Sequence, residues 1–264
     1  MTVRPSGAWN TLSSVTIESG PTASQMCATA EEALTEAAFR TGGFTDAERL
    51  FGKALTLARL EGDREAEALA IGGLGMARHY RNIDKMVAGL MPADADVAGE
   101  EALMRSALAI WQEIGDRAGT ARALFGVGLV FQVLRGDWDA AMGYFWPAFG
   151  LAEAVEESGD LYGRSEIHRH LGFYYLLEDV RPQEAVRQLG YSLALREKLG
   201  DPRRIPSALS ALGEAEMAAA NLQRAVDLLS RALTMAREAN LRPWRIQDAE
   251  QTLGKAQAAL SAAG

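Results

Sequence analysis

The chain has 264 residues, of which 48% are apolar, and its formal net charge at pH 7 is −8. The apolar fraction is sufficient for a globular protein with a buried core, whereas the negative charge argues against binding to nucleic acid or to an anionic membrane. Cys27 is the only cysteine, which excludes an internal disulfide bond and a cysteine-cluster metal site. No apolar run reaches the roughly 18 residues of a membrane-spanning helix, and the first residues lack the apolar core of a signal peptide. We expect a cytoplasmic protein without a metal or cofactor.

A short signature recurs along the chain at fixed spacing. A Gly-Asp pair is followed by Leu-Gly or Val-Gly, so that the second glycine lies thirteen residues after the first. The four copies begin at Gly62, Gly115, Gly159 and Gly200 and end at Gly75, Gly128, Gly172 and Gly213. Such regular spacing indicates a tandem array in which each unit packs against its neighbours.

A second signature alternates with the first. An alanine precedes a phenylalanine or leucine by four residues, and another small residue follows that alanine by seven, in copies that start at Ala47, Ala141, Ala185 and Ala225. Spacings of four and seven place side chains on one face of a helix. Each unit is therefore predicted to be a helical hairpin. Helix A carries Leu-Gly, whose glycine allows close approach, and helix B carries the alanine pattern.

In chain order, the signatures predict an irregular N-terminal extension, five hairpins and one last helix. The extension is 1–24, the hairpins are 25–62, 64–115, 117–159, 161–200 and 202–240, and the last helix is 243–262, a polar cap. In each Gly-Asp pair, glycine is suited to end helix B and aspartate to cap the next helix A. The second hairpin contains extra residues within the segment 81–100.

The two signatures resemble the tetratricopeptide repeat, which has Leu-Gly in helix A and Ala-x3-Phe in helix B. The resemblance covers roughly residues 25 to 262, and the long unit is similar to that of the arrays in bacterial, including actinobacterial, regulators. It implies an all-α, right-handed superhelical solenoid whose A helices line a concave groove. It also implies a non-catalytic interaction module that binds a peptide or protein partner in this groove.

By this resemblance, certain helix A positions face the groove. The candidate ligand- or partner-binding residues are Met76, His79, Tyr80, Arg122, Phe125, Leu129, Glu166, Arg169, Phe173 and Leu176. An apolar wall with a few polar groups is also typical of a small-molecule site. The alternative function is therefore a small-molecule-binding protein: a sensor, a sequestering protein or an unusual secondary-metabolism enzyme. The competing interpretations are that these side chains are core, or that Trp9, Leu12, Val15 and Ile17 cover them.

The segment 81–100 contains Met86, Val87, Leu90 and Met91, followed by a proline and acidic residues. Long insertions of this kind are often functional. Three interpretations remain open: a lid over the concave pocket or a partner contact, a packed extra helix, and a disordered loop.

Four large aromatic residues lie close together on the third helix B: Tyr144, Phe145, Trp146 and Phe149. Packing within the hairpin is one interpretation. A homodimer contact is the other, because these four side chains cannot all face one core.

The sequence does not contain a complete catalytic set, which disfavours enzyme activity but leaves it open. His79 and Glu166 are weak candidates for a general base. His168 and His170 are two residues apart on a predicted helix and point about 200° apart, so they cannot both bind one metal ion from that helix.

Overall fold

The computed structural model describes residues 20–154 and 160–263. Within these ranges the chain forms eleven α-helices and no β-strand. The helices are α1 (Ala23–Glu36), α2 (Thr45–Glu61), α3 (Arg64–Val87), α4 (Asp94–Ile114), α5 (Arg117–Leu129), α6 (Trp138–Ala154), α7 (Leu161–Leu177), α8 (Pro182–Leu199), α9 (Ile205–Ala218), α10 (Leu222–Glu238) and α11 (Pro243–Ala263). Consecutive helices pack as hairpins, so the prediction of an all-α array is confirmed. In this part of the chain, no helix is both long enough and apolar enough to cross a membrane.

Three Gly-Asp pairs, at 62–63, 115–116 and 200–201, lie in turns between hairpins. Gly62, Gly115 and Gly200 end helices in the left-handed conformation, which glycine adopts without a steric penalty. Asp63, Asp116 and Asp160 accept hydrogen bonds from the backbone amides of Ala66, Gly119 and Gly163 in the first turn of the next helix. The predicted cap is confirmed at these three aspartates. Asp201 is different, because it accepts from the Arg203 amide before α9 begins.

The Leu-Gly glycines are notches that receive a large side chain from helix B. A Cβ atom at Gly128 would lie 2.4 Å from the Phe145 ring, and one at Gly172 would lie 2.5 Å from Leu189 Cγ. The Gly213 notch receives Leu229 in the same way. This close contact within each hairpin makes the array tetratricopeptide-like.

The extra residues of the second hairpin lengthen its two helices. Helix α3 continues to Val87, a turn follows at 88–93, and α4 begins at Asp94. Lys85 Nζ donates a hydrogen bond of 2.6 Å to Asp96 Oδ2 and joins the two helices beside the turn. The segment 81–100 is thus part of a longer hairpin and contains no separate element.

The two ends of the array meet. The backbone amide of Arg242 donates a hydrogen bond of 2.8 Å to the carbonyl of Phe39, in the π-helical turn Ala37–Thr41 that extends α1. Arg40 Nε donates to the Ala239 carbonyl at 2.9 Å. The sequence predicts that α11 is a polar cap, but its beginning also contacts the first hairpin and closes the array.

Ion pairs and apolar contacts strengthen this closure. Both terminal nitrogens of Arg242 donate to the Asp84 carboxylate, at 2.7 and 2.8 Å, a bidentate geometry that is stronger than a single contact. Arg203, in the turn before α9, donates to both Glu32 oxygens at 2.6 and 3.1 Å. Phe39 packs in one apolar cluster with Leu241. The chain therefore bridges the concave face from one end of the array to the other, and the face remains partly open to solvent.

The glycine notches generate a stability prediction. We expect Gly172→Ala to lower the free energy of unfolding by about 1–2 kcal/mol, because overpacking against Leu189 exceeds the gain of about 1 kcal/mol in helix propensity. Gly190→Ala, in α8 of the same hairpin, is the control: no atom lies within 4 Å of its added Cβ, so we expect about 0.5–1 kcal/mol of stabilisation. Urea unfolding followed by circular dichroism measures both. Equal stabilisation of the two variants would show that the notch is loose.

Candidate functional site

The enclosed concave face contains a cavity of about 680 Å³. Helices α1, α3, α5 and α7, the turn between α8 and α9, and side chains from α2 and α4 form its wall. Its apolar lining includes Leu34, Phe39, Phe51, Leu69, Met76, Met104, Trp111 and Phe125, and its polar lining includes Glu31, Glu32, Tyr80, Arg122, Asp160, Tyr162, Glu166, Asp201, Arg203 and Arg204. The cavity thus combines an apolar lining with a set of charged and hydroxyl groups.

Two tyrosines from opposite sides of the cavity meet at its floor. The hydroxyls of Tyr80 on α3 and Tyr162 on α7 lie 3.5 Å apart. The guanidinium carbon of Arg204 lies 3.5 Å from the centre of the Tyr162 ring, in cation–π contact, and Arg204 also donates to Thr35 Oγ1 at 2.8 Å. Burial raises the pKa of Tyr162 to about 12, so its hydroxyl stays protonated at neutral pH.

A buried ion pair supports this floor. Glu166 pairs with Arg196, whose side chain is only 2% exposed. Arg196 also donates to the Arg204 carbonyl at 2.8 Å and to Ser207 Oγ at 2.6 Å. Burial lowers the pKa of Arg196 to about 10, so the guanidinium remains charged at neutral pH. The Glu166 carboxylate is therefore neutralised from behind the cavity wall.

Charged residues surround the mouth of the cavity. Arg122 Nε lies 3.0 Å from Asp160 Oδ2, and Arg203 bridges Glu32 and Asp201. Glu31, on α1, has neither a hydrogen-bond nor an ion-pair partner among residues 20–154 and 160–263.

The electrostatic environment of Glu31 disfavours its charge. Its side chain is exposed to solvent, although the many protein atoms around it withdraw part of its hydration. This desolvation raises the pKa of the Glu31 carboxyl. Arg122 acts in the opposite direction and Asp160 adds to the increase. Glu31 thus lacks the compensation that the other carboxylates at the mouth receive.

The structure brings half of the sequence-predicted residues to the cavity. These are Met76, Tyr80, Arg122, Phe125 and Glu166. Of the other five, Leu129 is buried in the core beside α6, Leu176 packs against the fourth and fifth hairpins, and the guanidinium of Arg169 lies 4.7 Å from the centre of the Phe173 ring. Ligand binding by any of these residues stays a prediction.

The remaining candidate residue, His79, is on α3. Its side chain packs between α3 and α4, away from the cavity lining. Its Nδ1 is 2.7 Å from Glu100 Oε1, and Asn82 Nδ2 donates to the other Glu100 oxygen at 2.9 Å. All three side chains are buried. His79 and Glu166, the two candidate bases, therefore sit in separate hydrogen-bonded clusters.

The other two histidines are also engaged inside the protein. His168 Nδ1 lies 2.7 Å from Gln188 Oε1, and His170 Nδ1 lies 2.5 Å from Gln132 Oε1. Burial, with the neighbouring Arg169 charge, holds the pKa of His170 well below its usual value. Among the described residues, no group of three or more histidine, cysteine or acidic side chains is arranged to bind a metal ion.

Residues 81–100 do not line the cavity. The turn of this segment exposes Val87, Leu90 and Met91 to solvent at the far end of the second hairpin. The structure thus does not place the segment as a lid over the cavity. The residues that would form an N-terminal cover, Trp9, Leu12, Val15 and Ile17, lie outside the described residues.

Several lining residues were not identified from the sequence. Tyr162 lies ten residues before Gly172. The first candidate position of this helix, Glu166, lies one turn later, so including one more turn of helix A would have identified Tyr162. Glu31 and Phe39 lie in the first hairpin, which has no Leu-Gly from which to count. Arg204 lies in a turn, outside any helical pattern.

The chain matches no protein-family model and no curated protein. Among solved structures it is similar to BtubC (BKLC) from P. vanneervenii, with 19% sequence identity and a TM-score of 0.47 over 83% of this chain and 93% of that one. It is also similar to a putative kinesin light chain with nearly identical TPR-like repeats from Podosopora anserina, with 15% identity and a TM-score of 0.47 over 81% of this chain and 94% of that one. Neither likeness bears on what this chain binds.

The His79 cluster generates a prediction about stability. Glu100→Ala leaves the buried His79 and Asn82 without their shared acceptor, so we expect the free energy of unfolding to fall by about 3 kcal/mol. Glu101→Ala is the control, because Glu101 pairs with arginines at the surface and should lose less than about 1 kcal/mol. Chemical unfolding measures both variants. A loss as small as that of the control would mean that the cluster is not a structural support.

Proposed function

We propose that the protein binds one compact, mainly apolar ligand inside the enclosed cavity. The carrying observation is the closure of the array, which turns the concave face into a cavity of about 680 Å³. Small-molecule pockets typically have volumes of about 300–1,000 Å³, with an apolar lining and a few polar groups. The lining by Phe39, Leu69 and Phe125, with Tyr80 and Tyr162 at the floor, supports this function.

A peptide or protein partner along the concave face has less support. An extended peptide requires a groove that is open over several repeats. Contacts of Arg242 with Phe39, and of Arg203 with Glu32, connect the two ends of the array across this path. The geometry therefore favours a ligand with a compact shape over an extended chain.

The cavity generates a binding prediction with Nile red, a neutral dye that fluoresces in apolar surroundings. We expect saturable binding of one dye molecule per chain. The double variant Leu69→Trp, Met76→Trp adds bulk to the cavity wall and should raise the dissociation constant at least tenfold, since lost space forces the dye out of its contacts. Fluorescence titration measures the affinity.

Leu90→Trp is the matched control, because Leu90 is exposed and lies outside the cavity. It adds the same indole ring and should leave the dissociation constant unchanged. Thermal unfolding of all variants checks that the array remains folded. Equal dye affinity in the folded double variant and the wild type would locate binding elsewhere and overturn the proposed function.

A second proposal is a homodimer through the outer face of the third and fourth hairpins. Trp146 on α6 and Tyr191 on α8 are 43% and 54% exposed. Phe149 and His168 lie between them in edge or tilted aromatic contacts. Among the clustered aromatic residues of α6, Phe145 is fully buried. An exposed aromatic surface of this kind supports a partner contact, and a second copy of the chain is the partner that we propose.

Size-exclusion chromatography with light scattering tests the dimer. We expect the wild-type chain at micromolar concentration to have twice the mass of one chain, and the double variant Trp146→Ser, Tyr191→Ser to have the mass of a monomer, since removing aromatic anchors weakens an interface strongly. Leu60→Ser, at another exposed apolar position, should remain dimeric. A monomeric wild-type protein excludes this proposal and leaves the cavity proposal intact.

A further inference from the structure

The charged residues around the cavity are almost all paired. Five acidic residues and three arginines line it: Glu31, Glu32, Asp160, Glu166, Asp201, Arg122, Arg203 and Arg204. Each of the three arginines has a carboxylate partner within 4 Å. Glu166 pairs with Arg196, which lies behind the wall. Among the described residues, Glu31 is the one charged group of the lining that remains without a partner.

The position of Glu31 distinguishes it from an ordinary surface carboxylate. It lies on α1 one turn before Leu34 and Thr35, which also line the cavity. Its side chain is exposed to the same space as the apolar wall and keeps contact with water. A ligand that covers it would remove this water, which is costly unless the ligand donates hydrogen bonds to the carboxylate. Desolvation raises its pKa, in agreement with this cost.

We propose that the ligand of the cavity is a cationic amphiphile, with an apolar body against the wall and a protonated amine that donates to the Glu31 carboxylate. This inference rests on the proposed function, because it specifies the ligand of the same cavity. An amine supplies both the positive charge and the hydrogen-bond donors that Glu31 lacks. The adjacent Glu32 is not available for this role, because Arg203 already occupies both its oxygens.

An anionic ligand fits the same cavity poorly. Its charged group would have to displace a carboxylate from Arg122, Arg203 or Arg204, all of which are paired. It would also approach Glu31, a charge of the same sign. Charge complementarity at the mouth therefore selects for a positive group and against a negative one.

Three probes with one apolar body test this proposal: 4-phenylbutylamine, 4-phenylbutan-1-ol and 4-phenylbutyrate. Their head groups are cationic, neutral and anionic, respectively, at pH 7. We expect the amine to displace Nile red with an affinity about 5- to 10-fold higher than that of the alcohol, because a partly solvent-exposed ion pair with Glu31 contributes a modest free energy. The carboxylate should be the weakest of the three.

Two neighbouring substitutions separate Glu31 from general electrostatics. Glu31→Gln should bring the affinity of the amine to that of the alcohol, while the affinity of the alcohol stays unchanged. Glu32→Gln removes the same charge from a residue that already has its partner, so the preference for the amine should persist. Retained binding of the alcohol shows that each variant keeps a folded cavity.

The outcomes distinguish this inference from the proposed function. Equal affinities of the three probes for the wild type, the tightest binding by the carboxylate, or an amine preference that survives Glu31→Gln would each overturn the cationic ligand. In these cases the cavity itself would remain the binding site. If none of the three probes competes with Nile red while Leu69→Trp, Met76→Trp still weakens dye binding, the cationic ligand is overturned alone. The proposed function fails only if the folded double variant binds the dye as tightly as the wild type.

Discussion

Arg242 contacts the first two hairpins. Its backbone amide donates to the Phe39 carbonyl in the first hairpin, and its guanidinium donates to Asp84 in the second. The second contact joins residues that are 158 positions apart in the chain. In an open repeat array each unit contacts only its neighbours, and the concave side is accessible along its length. Closure adds contacts between the first and last units, and it converts a groove into a cavity. The size limit on a ligand, and the meeting of Tyr80 with Tyr162, both follow from this closure.

The packing of the hairpins also shapes the cavity wall. Phe51 lies where a Cβ of Gly73 would be, at 2.2 Å, and Met104 lies 2.8 Å from a Cβ of Gly126. Both side chains belong to B helices, yet both line the cavity, because the glycines leave the A helices without side chains at these points. The residues that hold the array together are thus partly the residues that a ligand would touch. Substitutions in the notches change stability and cavity shape at the same time.

The hairpins could be predicted because glycine turns, aspartate caps and glycine notches repeat with the structural unit. The alanine pattern did not identify the second helix B, because Glu100 occupies the position where the other copies have alanine. Met104 and Ala107 nevertheless follow Glu100 at the spacings of four and seven. That glutamate is tolerated because His79 and Asn82 bind it. Closure could not be predicted, because the contacts between the two ends follow no period. The cavity residues of the first hairpin and of the turn before α9 were missed for the same reason.

The polar groups around the cavity differ in how they are satisfied. Arg204 and Arg196 are bound to protein acceptors, so the cost of removing these charges from water is already offset when the cavity is empty. Glu31 keeps its hydrogen-bonding capacity. The apolar body of a ligand contacts the wall in either orientation, so the wall does not select one orientation over the other. The unpaired carboxylate of Glu31 does select, because only one orientation brings a hydrogen-bond donor to it. A ligand of the proposed kind is therefore expected to place its charged end beside Glu31 on α1 and its apolar body against the apolar lining of the cavity.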